Sequence, residues 1–292
     1  MSLSSYNLLC VIAEKGSLAN AAKYLHISPS AASHAVNALE KELSVTLLKR
    51  DRNGASLTVN GEMLLPFIRG VVQADNLLVE EAARISGLEK GIVRIGMFES
   101  ILRHWMPDIL KIYSREHPNI YVQIHQAGYS EVEQMLAAGT LDLGFVSLPT
   151  QECFSTVTLT HDRLLCITPP DFQPENEGVM TPDDIRRSKL IISKRGYDRG
   201  MEAYIKSNHL DINLWHDIDL DSAAIALVEC GLGVSILPKL VLDVHPGNYK
   251  VYPLKSNPYR TIALATNRQQ PESHASAKLL DTIVNYIENI SP

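Results

Sequence analysis

The first 60 residues carry a pattern of apolar positions typical of three short helices followed by a hairpin. Leu8, Leu9 and Ile12 lie at three- and four-residue spacing, the period of one helix face. Ser17 and Ser28 are favourable N-cap residues for two further helices. The predicted helices cover 3–14, 18–25 and 29–42, and the predicted extended runs cover 46–49 and 55–57. This order of elements predicts a winged helix-turn-helix.

A single long helix is predicted over 58–88. Its apolar positions alternate at spacings of four and three, with one polar member, as in a coiled-coil seam. The seam consists of Leu64, Ile68, Val71, Asp75, Leu78, Ala82 and Ile85. Pro66 predicts a kink two turns inside this helix. A helix of this length beside a small domain favours a dimerisation arm over a core element.

Beyond residue 90, strand patterns alternate with helix patterns, which predicts an α/β fold with a parallel sheet. The predicted strands cover 93–98, 120–126, 141–147, 163–168, 189–193, 214–218, 233–236 and 260–266. The predicted helices cover 102–116, 130–138, 181–187, 199–208, 221–230, 238–242 and 273–289. Crossing strands near 145–150 and 260–266 would join two lobes through a hinge.

These patterns divide the chain into three predicted parts. They are a winged helix-turn-helix, a DNA-binding fold, over 1–58, a linker or dimerisation helix over 59–89 and a two-lobed domain over 90–292. In the last part, we expect lobe one at about 90–147 and 262–292, and lobe two at about 148–261.

Composition narrows the class of protein. Hydrophobic residues make up 45% and charged residues 21% of the chain, as in ordinary globular proteins. The formal net charge of −6 argues against a general polyanion binder, but residues 1–60 carry six Lys and Arg against four Asp and Glu. The sequence shows no signal peptide and no apolar stretch of about 20 residues, so we expect a cytoplasmic protein that does not bind membranes.

Five motifs in order then resemble the LysR-type transcriptional regulators over nearly the whole chain. They are GSLANAAKYLHIS at 16–28, SPSAASHAVNALE at 28–40, LLKR at 47–50 with LTVNG at 57–61, GIVRIG at 91–96, and GTLDL at 139–143 with VECGLGVSILP at 228–238. The resemblance implies a sequence-specific regulator with an all-α winged helix-turn-helix, a linker helix and a periplasmic-binding-protein-like effector domain. It also implies promoter DNA and a small-molecule effector as partners, and a homodimer or homotetramer formed through the long helix.

The chain departs from the family pattern at four positions. Pro29 and His34 stand where the family often has Gln and Arg, and both lie on the base-reading face. Ser44 and Leu48 replace a usual Gly and Phe. The first two departures argue against carrying over the family's usual base preferences to this chain, but they do not argue against DNA binding.

Polar residues of the third helix predict the DNA-binding face. Ser30, Ser33, His34 and Asn37 lie at i, i+3, i+4 and i+7, opposite the apolar stripe. Cations near the hairpin suit phosphate contacts. The full predicted set is Ser17, Pro29, Ser30, Ser33, His34, Asn37, Lys49, Arg50 and Arg52. Capping alone for Ser17, and packing on the domain itself for Arg50, are the structural alternatives.

The predicted effector residues lie just after strand ends, where two-lobed α/β proteins bind ligands. They are Glu99, Ser100, Tyr129, Ser147, Ser193, Arg195 and Asp221. For each of them, capping or turn formation is the alternative. Arg195 would suit the small anions and aromatic acids that are common effectors in the family, whereas Glu99 in the cleft would suit an amine or polyol. The sequence leaves both open.

Other functions are weaker hypotheses. A solute receptor would fit residues 92–292 but not the DNA-binding head. We find no catalytic motif, no cofactor loop and no metal-ligand spacing, so we expect no enzyme activity. A thiol-based redox regulator would need a reactive cysteine. Cys166 lies in an apolar strand and Cys153 is the remaining candidate in the second-lobe region.

Overall fold

The computed structural model describes residues 3–51, 54–86, 90–175, 178–192, 199–210, 218 and 220–290. The chain forms two compact units. One comprises Met1–Lys90 with Ala138–Thr140, and the other comprises Gly91–Ala137 with Leu141–Pro292. We call them the amino-terminal unit and the carboxyl-terminal unit.

The amino-terminal unit has the predicted order of elements. They are α1 (Leu3–Lys15), α2 (Leu18–Tyr24), α3 (Pro29–Leu43), β1 (Leu48–Asp51), β2 (Gly54–Leu57) and α4 (Val59–Ile85). The Oγ atoms of Ser17 and Ser28 accept the backbone N–H groups of Asn20 and Ala31, both at 3.1 Å, so each serine caps its helix. Strands β1 and β2 pair antiparallel, and α4 continues through Pro66.

Two contacts fix the hairpin and α4 to the three-helix core. The Thr58 hydroxyl donates to the Thr46 carbonyl at 2.7 Å and accepts from the Gly61 N–H at 3.0 Å. A Cβ atom at Gly61 would lie 2.3 Å from the Leu47 carbonyl oxygen. Glycine is therefore needed at position 61 because the start of α4 passes so close to the strand.

The carboxyl-terminal unit alternates strands and helices. The elements of its first half are β3 (Gly91–Met97), α5 (Glu99–His104), α6 (Met106–Glu116), β4 (Ile120–Gln126), α7 (Tyr129–Ala137), β5 (Leu143–Leu148), β6 (Phe154–Thr168) and α8 (Pro182–Arg187). The remaining elements are β7 (Leu190–Ile191), α9 (Arg199–Ser207), α10 (Asp221–Glu229), β8 (Val234–Pro238), α11 (Lys239–Asp243), β9 (Lys250–Pro253), β10 (Tyr259–Asn267) and α12 (His274–Ile290).

One long strand, β6, runs through both lobes of this unit. The described strands form a sheet in the order β4-β3-β5-β10-β6-β8-β7, with β9 also paired to β6. The first part of β6 pairs antiparallel with β10, and its last part, from Leu164 onward, pairs with β8 and β9. Lobe one therefore contains β3–β5, β10, the first part of β6, α5–α7 and α12, and lobe two contains the other elements.

Apolar side chains cover both faces of the sheet in each lobe. In lobe one, α5, α6 and α12 cover one face through residues such as Ile101, Ile109 and Leu279, and α7 covers the other. In lobe two, α8 and α9 pack on one face and α10 and α11 on the opposite face. The predicted two-lobed α/β architecture is confirmed. The sheet is mixed, however, and not parallel as predicted, because β10 pairs antiparallel with both β5 and β6.

Several predicted boundaries were wrong. The crossing strand is not near 145–150, because β5 ends at Leu148 and β6 runs over Phe154–Thr168, far longer than the predicted 163–168. The Thr-rich beginning of β6 has too few apolar residues to stand out as a strand. The predicted helix 102–116 is two helices, because Pro107 lacks the N–H that would continue α5 and instead starts α6. Strand β9 was not predicted, and the predicted strand 214–218 falls almost entirely outside the described residues.

Helix α3 ends in a left-handed residue. Ser44 has φ 53° and ψ 32°, a conformation in which a Cβ atom crowds the following carbonyl oxygen. Its N–H group donates to the Glu40 carbonyl and so closes the last turn of the helix.

We predict that Ser44→Gly stabilises the chain by about 0.5–1 kcal/mol, since glycine removes this strain. Chemical denaturation of the full chain measures the change. The matched control is Ser86→Gly at the end of α4, where φ is −81° and glycine relieves nothing. Equal destabilisation by both substitutions would contradict the strain at Ser44.

Candidate functional site

One face of α3 is buried and the opposite face is polar and accessible. Ala32, Val36 and Leu39 pack in the core of the amino-terminal unit. Across the helix lie exposed Pro29, Ser30, His34 and Asn37, and half-buried Ser33. The structure thus brings the five predicted α3 residues to one accessible surface.

The start of α3 carries two hydroxyl groups that contact each other. The Oγ atoms of Ser28 and Ser30 are 3.0 Å apart, and Pro29 occupies the first turn, where its missing N–H costs no helical hydrogen bond. These short side chains keep the N-terminal end of α3 narrow, which allows close approach to a base edge or a phosphate.

Glu40 joins the far end of α3 to the hairpin. Its Oε1 accepts the N–H groups of Leu47 and Leu48 at 2.6 and 2.9 Å. Lys49 follows on β1 with an exposed side chain, and Ser17 is half-buried at the start of α2. The side chain of Arg50 and the whole of Arg52 lie outside the described residues.

A cleft between the lobes of the carboxyl-terminal unit contains four of the seven predicted effector residues. It is lined by Phe98, Glu99, Ser100, Gln126, Ala127, Gly128, Tyr129, Leu220, Asp221 and Val241. The open space measures about 30 Å³, against roughly 300–1,000 Å³ for a typical ligand pocket. A ligand of metabolite size must therefore widen the cleft.

A buried arginine that the sequence reasoning missed lies against this cleft. Arg260 is 0% exposed, on β10, and its ion-pair partner is Asp162, its neighbour in register on β6. Its guanidinium also donates to Ser100 Oγ at 3.1 Å and to the Tyr129 hydroxyl. The only available signal was an arginine at the head of a predicted apolar strand.

Polar contacts join the two lobes at two places. Arg199 of α9 donates to Glu133 of α7 at 3.2 Å and to the carbonyl of Pro149. On α5, Glu99 lies 3.4 Å from Arg103 Nη1 and 3.6 Å from His245 Nε2. Glu99 thus lines the cleft while its carboxylate also contacts neighbouring basic groups.

The other predicted effector residues divide into two cases. Ser147 is 3% exposed on β5, and its Oγ has no hydrogen-bond partner among the described residues. It does not belong to the cleft lining. Ser193 and Arg195 lie outside the described part of the chain.

The cysteines and the possible metal ligands provide little reactive chemistry in the described residues. Burial raises the pKa of the Cys166 thiol, with a smaller contribution from Asp184, so this thiol is held in its unreactive protonated form. Cys153 is half-buried and points towards the Gln151 side-chain oxygen at 3.7 Å. No cluster of described His, Cys, Asp and Glu has the arrangement of a metal site. Nor is any described helix both long and apolar enough to cross a bilayer.

Two protein families match the two units in turn. Residues 3–62 match the family described as "Bacterial regulatory helix-turn-helix protein, lysR family", and residues 86–287 match the "LysR substrate binding domain". Together these two matches span almost the whole chain.

Individual relatives agree over nearly their full length. The chain is 29% identical to the probable HTH-type transcriptional regulator LrrA of Synechococcus elongatus, over 91% of this chain and 90% of the relative. It is 24% identical to the HTH-type transcriptional regulator BenM of Acinetobacter baylyi, over 97% and 95%.

Solved structures share the fold. Full-length OxyR from Pseudomonas aeruginosa superposes with a TM-score of 0.74 at 22% identity, over 100% of this chain and 99% of that one. CbnR complexed with its target DNA superposes with a TM-score of 0.66 at 19% identity, over 100% of both chains. The chain therefore belongs to the LysR family of transcriptional regulators, which join a helix-turn-helix for DNA to an effector-binding domain.

Proposed function

We propose that the amino-terminal unit reads promoter DNA with the exposed face of α3. The single observation that carries this proposal is the polar stripe of Ser30, Ser33, His34 and Asn37, which stands opposite the buried stripe of the same helix. Their side chains have the donors and acceptors that base edges in the major groove recognise. Pro29 and Ser17 contact the adjacent backbone, and Lys49, Arg50 and Arg52 contribute phosphate contacts from the hairpin.

The effector binds between the lobes of the carboxyl-terminal unit. Glu99, Ser100, Tyr129 and Asp221 contact it from the cleft wall. Ser147, near the end of β5, lies outside the present lining and would contact the effector only after the cleft widens. Ser193 and Arg195 contribute from the second lobe, as their position after a predicted strand suggests. Binding acts by shifting the population of lobe arrangements, and the protein itself catalyses no reaction.

Self-association runs along α4 and produces a homodimer or homotetramer. Phe67, Val71, Leu78 and Ile85 are large apolar side chains on this helix with exposures of 74, 44, 68 and 75%. The sequence placed Ile68 in the seam, but Ile68 is buried in the core of its own unit. The apolar stripe therefore continues N-terminally through Phe67 instead.

The domain division that we propose follows the same functions. It assigns 1–58 to DNA binding, 59–89 to association and 90–292 to effector binding, in a protein that works in the cytoplasm. A solute receptor for transport would have no use for the exposed stripe of α3.

We predict that Ser33→Arg lowers the ratio of specific to random DNA affinity at least tenfold. A long cationic side chain keeps the base edge out of reach and adds sequence-independent phosphate attraction. Electrophoretic mobility shifts measure the ratio, with a genomic fragment selected by the unaltered chain as the specific DNA.

The control for this variant is Ser114→Arg on α6, an exposed serine of the carboxyl-terminal unit that gains the same charge. An unchanged ratio in the Ser33 variant would remove α3 as the reading helix. A fall in both variants would show that charge alone was responsible.

We predict that Phe67→Glu combined with Leu78→Glu weakens self-association at least tenfold, because carboxylates would have to lose their hydration in an apolar contact. Sedimentation equilibrium measures the association constant. Asn76→Glu is the control, because Asn76 is exposed on the opposite side of α4. Equal association in the double variant and the control would exclude this stripe as the interface.

A further inference from the structure

The guanidinium of Arg260 contacts a carboxylate on one side and two hydroxyl groups on the other. One end faces Asp162, whose Oδ2 accepts from Nε at 2.9 Å and from Nη2 at 2.7 Å. The other Asp162 oxygen accepts the Leu240 N–H, at the start of α11 in lobe two, at 3.2 Å. Both oxygens of this carboxylate are therefore engaged, on the side of the ion pair that faces lobe two.

The opposite end of Arg260 faces lobe one. Nη2 donates to Ser100 Oγ at 3.1 Å, and Nη1 donates to the Tyr129 hydroxyl. The guanidinium carbon lies 4.8 Å from the centre of the Phe98 ring. All three of these lobe-one residues line the cleft, so Arg260 forms a layer directly behind its wall.

These contacts decide which way the hydroxyl groups point. Guanidinium can only donate, so an oxygen that it contacts must use a lone pair as acceptor. The hydroxyl keeps its own proton for another acceptor. Arg260 occupies one of the two lone pairs of Ser100 Oγ and turns the hydroxyl proton away from itself, which shifts the remaining hydrogen-bonding capacity of this group towards donation. The contact with Tyr129 acts in the same direction.

Ser147 adds a second, independent observation. Its Oγ is buried without a hydrogen-bond partner among the described residues, which is costly in a finished core. Ser147 pairs across the strands with Ile262, two residues along β10 from Arg260. An unsatisfied hydroxyl therefore lies at the carboxyl end of β5, one strand away from the arginine.

We propose that Arg260 is the positioning residue that sets the hydrogen-bond polarity of the cleft, so that Ser100 and Tyr129 select ligands by their acceptor oxygens. This inference rests on the proposed effector site and assigns a specificity-determining role to a residue behind the wall of that site. Asp162 holds the guanidinium in place without turning a carboxylate oxygen towards the hydroxyls.

Two acidic groups on the cleft wall favour the alternative, a preference for ligands that donate hydrogen bonds. Glu99 and Asp221 both line the cleft, and carboxylates would attract an amine. The negative charge of Glu99 is partly offset by Arg103, as described above. Whether the cleft prefers hydrogen-bond acceptors or donors as ligands therefore depends on which groups contribute more to affinity, the hydroxyls or the carboxylates. A matched set of ligands can measure this preference.

The experiment compares the full chain's affinity for an acid, its amide and its amine at constant ionic strength. One series is benzoate, benzamide and benzylamine, and the acids of the other two series are acetate and succinate, each again with its amide and its amine. Thermal shift and calorimetry give the dissociation constants. We expect at least one acid to bind at least tenfold more tightly than its own amine. Tighter binding of the amines would overturn the proposed polarity and leave the effector site itself intact.

The decisive variant is Arg260→Met combined with Asp162→Asn. The asparagine oxygen can still accept from Leu240 N–H, and no buried charge is left unpaired. We expect the preference for acid over amine to fall at least tenfold. Loss of folding stability alone would weaken both ligands together and leave their ratio unchanged, so an unchanged ratio overturns the proposal.

The single variant Asp162→Asn provides the test of opposite sign. It keeps the arginine and its contacts with Ser100 and Tyr129 but removes the compensating negative charge, so acid preference should rise. Arg260→Lys should retain part of the preference that the Arg260→Met double variant loses, because an ammonium group also only donates. A fall in the Asp162 variant would contradict the assigned role.

Binding of none of the probes would overturn both the role of Arg260 and the proposed effector site. DNA affinity measured on the same preparations separates that outcome from a misfolded protein. Wild-type DNA binding without ligand binding would leave the reading function of α3 standing alone.

Discussion

The carboxyl-terminal unit depends on the antiparallel pairing of β6 with β10. Strand β6 belongs to lobe one over its first part and to lobe two over its last part, and β10 lies beside it. Arg260 and Asp162 face each other in this pairing as a buried ion pair. A slip of one residue between the strands would turn one of these two side chains to the opposite face of the sheet and break the pair. The pair therefore fixes the register at the point where the lobes meet.

Stability alone does not explain such a pair. Removing two charges from water costs several kcal/mol per ion in proteins, and well-packed apolar side chains often serve as well or better. Arg260 orients the hydroxyl groups of Ser100 and Tyr129 on the cleft wall through its hydrogen bonds. Apolar residues have no hydrogen-bond donors and could not orient these groups. The same principle operates in the amino-terminal unit, where the Glu40 carboxylate fixes the hairpin against α3 through two backbone N–H groups.

Much of this architecture could be predicted from sequence wherever local rules decide the conformation. Serine caps, the Pro29 helix start and the strong apolar periodicity gave the elements of the amino-terminal unit to within a few residues. The prediction failed where tertiary contacts decide. The Thr-rich half of β6 is a strand because it pairs with β10, and Ile68 leaves the α4 seam because the core of its own unit accepts it.

The candidate site divides along the same line. Residues just after strand ends could be placed at the cleft because parallel strands end at a common edge, and Glu99, Ser100, Tyr129 and Asp221 indeed line it. Arg260 could not be found this way. Its position at the start of a strand indicates nothing about burial, and its partner Asp162 is 98 residues away in sequence. Such a pair is visible only when the fold brings the two strands into register.

Because the cleft is small, a ligand can enter only by disturbing the contacts around it. About 30 Å³ of space cannot hold a metabolite, so a ligand enters only if the lobes separate or the wall residues move. The contact of Arg199 with Glu133 resists separation of the lobes, and the contacts of Arg260 with Ser100 and Tyr129 resist movement of the wall residues within lobe one. A ligand can shift the arrangement only by the difference between its interactions in the two states. Hydroxyl groups already oriented by Arg260 increase this difference in interaction for a ligand that accepts hydrogen bonds from them. The ion pair of Arg260 with Asp162 is therefore part of the response to ligand as well as of the fold.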